Sequence, residues 1–415
     1  MLRELHEEAA VDPHEVLPET VRVTSYFRWL SRGAKPEFTG YVELDVSSDV
    51  VVARSTTAAE SLFTSRTLAV PAEPDQASPI RAADPCGFCY FPHMTSPRLE
   101  WMDALRGAAV LLVVLLHVPV IPSLLGGSPP EWLERWQFAL QPYRMPMLLF
   151  LSGMLLERSL AKGTKKYLSG KFRGIVWPFI VWSVVTAIAL REPSVLTSPV
   201  TWLVGYHHMW FLTILAGCYV LGLLARYLPP WVLPVVLVVV ALLGSMYLTN
   251  LPGGELMSRF AWWGSFFFLG ATSPFWLETW QRRSPWVVSL VGGISVAWSI
   301  YVVINPDLRW SRNLPALVLS AGGVLALVWL APRMAWPQWL QKVGKNSIVW
   351  YLAHYPAIGA LWILFDRMGV TTWWLVIPAL ALVGFGVPML LIPLAKSPLF
   401  RWSPKVPPVL TGRNL

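Results

Sequence analysis

The sequence predicts an all-α integral membrane protein, a bundle of about ten transmembrane helices, on three observations. Hydrophobic residues make up 55% of the 415 residues and charged residues 14%, against roughly 25% charged in ordinary globular domains. A soluble chain this long could not cover its surface with so few charges. The 24 tryptophans suit membrane–water interfaces, where an apolar ring with one N–H finds both environments. From residue 94 onward, apolar stretches of about 20 residues recur, the length a helix needs to cross a bilayer.

Residues 1–97 form a polar N-terminal extension without an apolar run of that length, and PAEPDQASP occupies 71–79. The expectation is a poorly ordered leader or an upstream start, because Met94 opens a short polar lead into the first helix. Its acidic first 25 residues lack the apolar core of a signal peptide. Cys86-Gly-Phe-Cys89 hints at redox or metal chemistry, but no second ligand pair follows and no βαβ pattern surrounds it. Three cysteines imply no disulfide framework.

The expected spans are 104–124, 141–158, 173–191, 208–227, 230–249, 260–278, 285–304, 313–331, 346–365 and 371–395. Before the second, the amphipathic run Glu131 to Gln141, with Trp132 and Trp136, is expected to lie along the interface. With ten spans, the cations of the 158–173 connection, Arg282, Arg283, Arg333, Lys342, Lys345 and the tail's Lys396, Arg401, Lys405 and Arg413 fall on one side. The opposite loops are poorer in cations, Arg309 and Arg312 excepted. Both termini are therefore expected in the cytoplasm, 401–415 being a cytoplasmic tail. The net charge of +9 follows from these loops, which removes the reason for a nucleic-acid partner; membrane lipids are the expected surroundings.

Ionisable groups inside a bilayer are costly and mark functional positions. The first span carries Arg98, Asp103, Arg106 and His117. Asp103 and Arg106 can pair at i,i+3. His117 lies eleven residues beyond Arg106, three turns plus about 20°, on the same stripe and roughly 16 Å further along. A helix-packing role for the same stripe weighs about equally when it is taken alone. Arg144 starts span two, His207 and His208 start span four, and His354 shares a stripe with Ser347 and Tyr351 in span nine. Arg144, His208 and His354 are thus expected to converge with His117 on one polar pocket, while Arg158, Lys171 and Arg173 form a cationic rim at the cytoplasmic side. Such a rim suits an anionic, phosphate-bearing donor such as a coenzyme A thioester, and a histidine suits a general base. Metal is not expected, because adjacent His207 and His208 point in different directions.

Five ordered segments carry a resemblance: RLEWMDALRGAAVLLVVLLH (98–117), RMPMLLFLSGMLLERS (144–159), KFRGIVWPFIVW (171–182), HHMWFLTIL (207–215) and GKNSIVWYLAHYP (344–356). Over about 95 to 400 the chain resembles acyltransferase family 3, and within it most the fucose 4-O-acetylase-type branch. The resemblance implies a membrane acyltransferase domain over 98–400 in a bacterial plasma membrane. It implies transfer of an acetyl or other short acyl group from a cytoplasmic acyl donor to a hydroxyl of a glycan or similar acceptor. Acetyl-CoA is then the expected co-substrate, with no permanently bound cofactor.

The family's first-helix histidine falls on His117, the expected catalytic base, and its Arg–Asp–Arg pattern on Arg98, Asp103 and Arg106. Its basic start of span three falls on Lys171 and Arg173, its histidine–tryptophan element on His208 and Trp210, and its late histidine on His354. The extracytoplasmic C-terminal domain of the cell-wall-modifying branch has no match here, and the leader has no recognised counterpart. Ser152 in FLSGM is a conceivable acyl carrier, though helix packing explains a small residue there more simply. The competing reading is a transporter or flippase of a polar substrate, whose signature of inverted repeats and helices broken at the midplane is not seen.

Overall fold

The computed structural model describes residues 22–29, 35–41, 100–248, 253–305 and 312–396. The expectations for Cys86, Cys89, Arg98, Arg309, Arg401, Lys405 and Arg413 lie outside the described residues. The chain divides into two units, Met1–Leu99 and Glu100–Leu415. In the first, β1 (Arg22–Trp29) and β2 (Lys35–Tyr41) pair antiparallel, Arg22 opposite Tyr41 and Trp29 opposite Lys35. The all-α expectation therefore needs amending there: Val, Thr, Tyr, Phe and Trp crowd β1, the residue types that favour a pleated strand.

In the second unit the described elements of eight or more residues are helices. They are α1 (Glu100–Leu124), α2 (Glu131–Gly153), α3 (Thr164–Lys171), α4 (Trp177–Ala189), α5 (Trp210–Leu224), α6 (Val232–Leu243), α7 (Gly254–Ala271), α8 (Pro285–Ile304), α9 (Leu314–Leu330), α10 (Gln338–Lys345), α11 (Ser347–Arg367) and α12 (Trp373–Lys396). A π-helical turn, Phe172–Val176, joins α3 to α4. Seven segments are long and apolar enough to cross a membrane: Glu100–Leu124, Thr164–Ala189, His207–Leu224, Pro285–Ile304, Leu314–Arg333, Ser347–Arg367 and Trp373–Leu394. The expected ten is not reached on that measure. The other three positions are helical too, but α2 opens with a polar turn, α6 has only 12 residues, and α7 mixes Glu255, Arg259 and several Ser and Gly with its aromatics.

The interfacial helix also needs correcting. Glu131 to Gln141 is not separate from the second span but is the first half of one continuous α2. Pro142 and Pro146, each lacking an N–H, do not break it, because α2 is held on several sides by α1, α7, α8 and α9. Trp132 and Trp136 stay exposed, as interfacial tryptophans should.

Two close crossings set the frame. A Cβ on Gly153 of α2 would fall 1.8 Å from the Phe267 carbonyl oxygen of α7, and one on Gly344 of α10 would fall 1.7 Å from that of Asp103 in α1. Only glycine lets backbones approach this closely, the small-residue device of membrane helices. Around that frame, α1 also packs on α11 and α12, and α11 on α4. α1 and α11 thus run side by side, and the ionisable residues of both meet between them.

Candidate active site

His117 sits near the Leu124 end of α1, four residues beyond Val113. Its Nδ1 lies 2.8 Å from the Val113 carbonyl oxygen and 3.1 Å from Nε2 of His354. Nδ1 of His354 lies 2.8 Å from the Trp350 carbonyl oxygen, one turn back in α11. A carbonyl oxygen only accepts, so Nδ1 carries the proton in both rings. Nε2 of His354 is then a second acceptor for the His117 Nδ1–H, beside the Val113 carbonyl. Nε2 of His117 keeps its lone pair, on the far side of the ring from the acceptors that fix it. The neighbouring His354 is fully buried, at 0% exposure.

His208 completes the cluster, its ring centroid 6.4 Å from that of His117 and 5.6 Å from that of His354. It arrives by a tight turn. Gly205 has φ +91° and its missing Cβ would collide with the Trp210 backbone nitrogen at 2.5 Å; His207, at φ +46°, is left-handed as well, a region that histidine tolerates better than most residues. The turn lets consecutive histidines both stack on Tyr355. His208 lies 4.4 Å from that ring at 10°, and His207 lies 5.3 Å from it at 28°. Tyr351 donates its hydroxyl to the His208 carbonyl, which ties the turn to α11.

Both ring nitrogens of His208 are buried without a hydrogen-bond partner among the described residues. Leaving a buried polar atom unsatisfied costs about 1–3 kcal/mol.

Pro119 in α1 likewise frees the Leu115 carbonyl, which accepts from Gln137 Nε2 at 3.3 Å. The Gln137 side-chain oxygen and carbonyl in turn accept from Arg144 at 2.7 and 2.8 Å. Arg144 is buried, 4% exposed, and no carboxylate pairs with it among the described residues. Beyond the histidines, Glu192 accepts from the Tyr206 hydroxyl and stands 3.8 Å from His207 Nε2. Burial first, then the Glu192 carboxylate, hold the Tyr206 phenol above its ordinary range, so it stays a donor.

The structure thus brings His117, His208 and His354 together, with Arg144 close by. Asp103 and Arg106 pair at 3.5 Å as their spacing predicts, a long way down α1 from His117. Trp210 stands apart: its ring packs 5.2 Å from Trp263 and carries Arg259 on its face. At the other end of α4, Lys171 is 3.4 Å above the Tyr219 ring and donates to Ser159. Arg158 and Arg173 are exposed and pair with no carboxylate among the described residues. Ser152 donates to the Leu148 carbonyl of its own helix at 2.7 Å, a packing arrangement rather than that of a nucleophile. Among the described residues no group of three or more His, Cys, Asp or Glu is placed to hold a metal ion.

Sequence reasoning missed Tyr355, Gln137 and Glu192. Tyr355 follows His354 directly, so the periodic stripe that found Ser347, Tyr351 and His354 passes over it. Gln137 was hidden by the assignment of its segment to the interface, although its spacing of seven from Arg144 is two helical turns.

The fold is a multi-pass membrane bundle with a histidine pair between α1 and α11. A family model described as an acyltransferase domain (Acyl_transf_3) matches residues 99–392, and the chain belongs to that family. It is a membrane acyltransferase. No curated protein matches the chain, and no solved structure does.

Proposed function

We propose that the protein moves a short acyl group, acetyl in the first instance, from an acyl-CoA-type donor to a hydroxyl of a glycan or similar acceptor. The observation that carries the reading is the His117–His354 pair, because it leaves one ring nitrogen, His117 Nε2, unprotonated and uncommitted in a half-buried polar site. That nitrogen takes the proton of the acceptor hydroxyl as its oxygen attacks the thioester carbonyl. The new C–O bond forms, the C–S bond breaks, and the departing thiolate takes the proton back from His117 Nε2–H. His354 Nε2 accepts from Nδ1–H throughout and gains in strength while His117 is an imidazolium. His208 and Arg144 supply the N–H groups for the oxyanion between these steps.

The donor's phosphates are held by exposed Arg158 and Arg173, with Lys171 already caged by Tyr167 and Tyr219 as the rigid inner cation. α4 leads from there past Ser183 and Thr186, two buried hydroxyls three residues apart without hydrogen-bond partners among the described residues, which suit a pantetheine amide. This orientation puts the Arg173 end of the bundle in the cytoplasm and the acceptor at the Glu192 end.

The test is transfer from radiolabelled acetyl-CoA in membranes expressing the protein, wild type against His117→Ala at matched expression. Labelled glycan or lipid in wild type, reduced about 10²- to 10⁴-fold by the substitution, supports the reading. Equal labelling in both removes His117 as the base.

A further inference from the structure

A cavity of about 570 Å³ opens between α1, α2, α8 and α9, away from the histidines. It falls within the roughly 300–1,000 Å³ of ligand pockets. Ala108, which lines it, precedes His117 by nine residues, two and a half turns, and so lies on the opposite face of α1. The space exists because the facing positions are small: Ala108 and Ala109 on α1, Gly292 and Gly293 on α8, Ala326 on α9. A Cβ on Gly293 would meet nothing within 4 Å. The Tyr143 hydroxyl in the wall is already bonded to Ser295 at 2.9 Å and Ser299 at 3.1 Å, and apart from the Ser289 hydroxyl the middle of the lining is apolar. Val296 and Leu330 on the wall are exposed, which makes this a crevice in the flank of the bundle rather than a sealed void.

One end of the crevice is different. Trp329 lines it, is 9% exposed, and has a buried Nε1–H with no acceptor among the described residues. The Arg333 guanidinium lies 3.7 Å from the centre of that indole. Arg333 donates to the Trp329 carbonyl and to the side-chain and backbone oxygens of Gln281, all neutral acceptors, and pairs with no carboxylate among the described residues. An exposed cation, an orphan indole N–H and an apolar slot follow one another from the helix end inward.

We propose that this crevice is a binding site for one phospholipid of the adjoining leaflet. One acyl chain lies among Ala108, Gly293 and Ala326, an ester oxygen accepts from Trp329 Nε1–H, and the phosphate faces Arg333. Arginine suits a phosphate at such a position, and indoles belong at the depth of the glycerol esters. The occupant is a membrane phospholipid rather than the acyl donor, because the slot is reached from the flank and lies behind α1 relative to His117. The site is independent of the transfer reaction.

The test uses purified full-length protein in nanodiscs doped with phosphatidylglycerol that carries a photoactivatable diazirine in one acyl chain, with cross-links mapped by mass spectrometry. Leu382 and Leu390 on α12, both exposed, report general contact with lipid. Wild type should label the crevice peptides of α8 and α9 to saturation at one lipid per chain. Gly293→Phe and Ala108→Phe should each cut that labelling at least fivefold and leave α12 labelling and thermal stability unchanged. Arg333→Gln should lower the affinity for the labelled lipid severalfold. Two outcomes would overturn the proposal: crevice and α12 labelling that rise together without saturation in wild type and both filled variants, or crevice labelling that palmitoyl-CoA displaces and unlabelled phospholipid does not.

Discussion

The histidine cluster and the Lys171–Arg173 end of the bundle are both polar places in an apolar protein, and they are built on opposite plans. Around His117 every ring is buried or stacked, and backbone carbonyls of Val113 and Trp350 dictate where the protons sit. At the other end only Lys171 is enclosed, while Arg158 and Arg173 stand exposed and unmatched by carboxylates among the described residues. The first arrangement fixes one nitrogen lone pair in direction, which chemistry at a single proton needs. The second offers charge without fixed geometry, which suits capture of an anionic ligand from water. Turnover and donor affinity should therefore respond to different substitutions.

Four variants probe that division, ordered by expected size. His354→Ala removes the side-chain acceptor for His117 Nδ1–H and leaves the Val113 carbonyl; kcat for acetyl transfer should fall about 10²-fold, with the donor KM within about twofold of wild type. A change confined to KM would place His354 in binding instead. Removing both exposed cations, Arg158→Ala with Arg173→Ala, should raise the donor KM about tenfold at low salt with kcat preserved. With less charge left to screen, its dependence on ionic strength should also flatten, which a steady-state salt series would reveal. His354→Gln offers an amide oxygen in place of Nε2, and its kcat should recover to within about tenfold of wild type. If Gln is no better than Ala, the hydrogen bond is not what His354 provides. Smallest of all, Tyr355→Phe keeps the ring on which His207 and His208 stack, and activity should stay within about twofold; a larger loss would assign the phenol a proton-transfer role.

Much of this was legible in the residues, for reasons that also explain what was not. Helical periodicity places His117 on the Asp103–Arg106 stripe and Tyr351 beside His354, and those pairings survive because a membrane helix has one regular geometry along its length. Convergence of His117, His208 and His354 followed from reading polar groups in apolar spans as inward-facing. The exact partners did not follow, since a stripe gives a face and not a tautomer. Which nitrogen stays basic depends on two carbonyls that every helix has. The continuity of α2 through Pro142 was not legible, because a missing N–H argues for a break while contacts of α2 on several sides hold the helix together. Pro119 likewise leaves the Leu115 carbonyl to accept from Gln137, a pairing that no stripe predicts. Trp210 shows the opposite limit, for adjacency to His208 in sequence put it on another face, against Trp263.

The most direct test of the account is a double-mutant cycle of kcat for acetyl transfer with His117→Ala, His354→Ala and both together. If His354 acts only by orienting His117, the double variant should be no slower than His117→Ala alone. Losses that multiply would contradict the account and make the two histidines independent contributors.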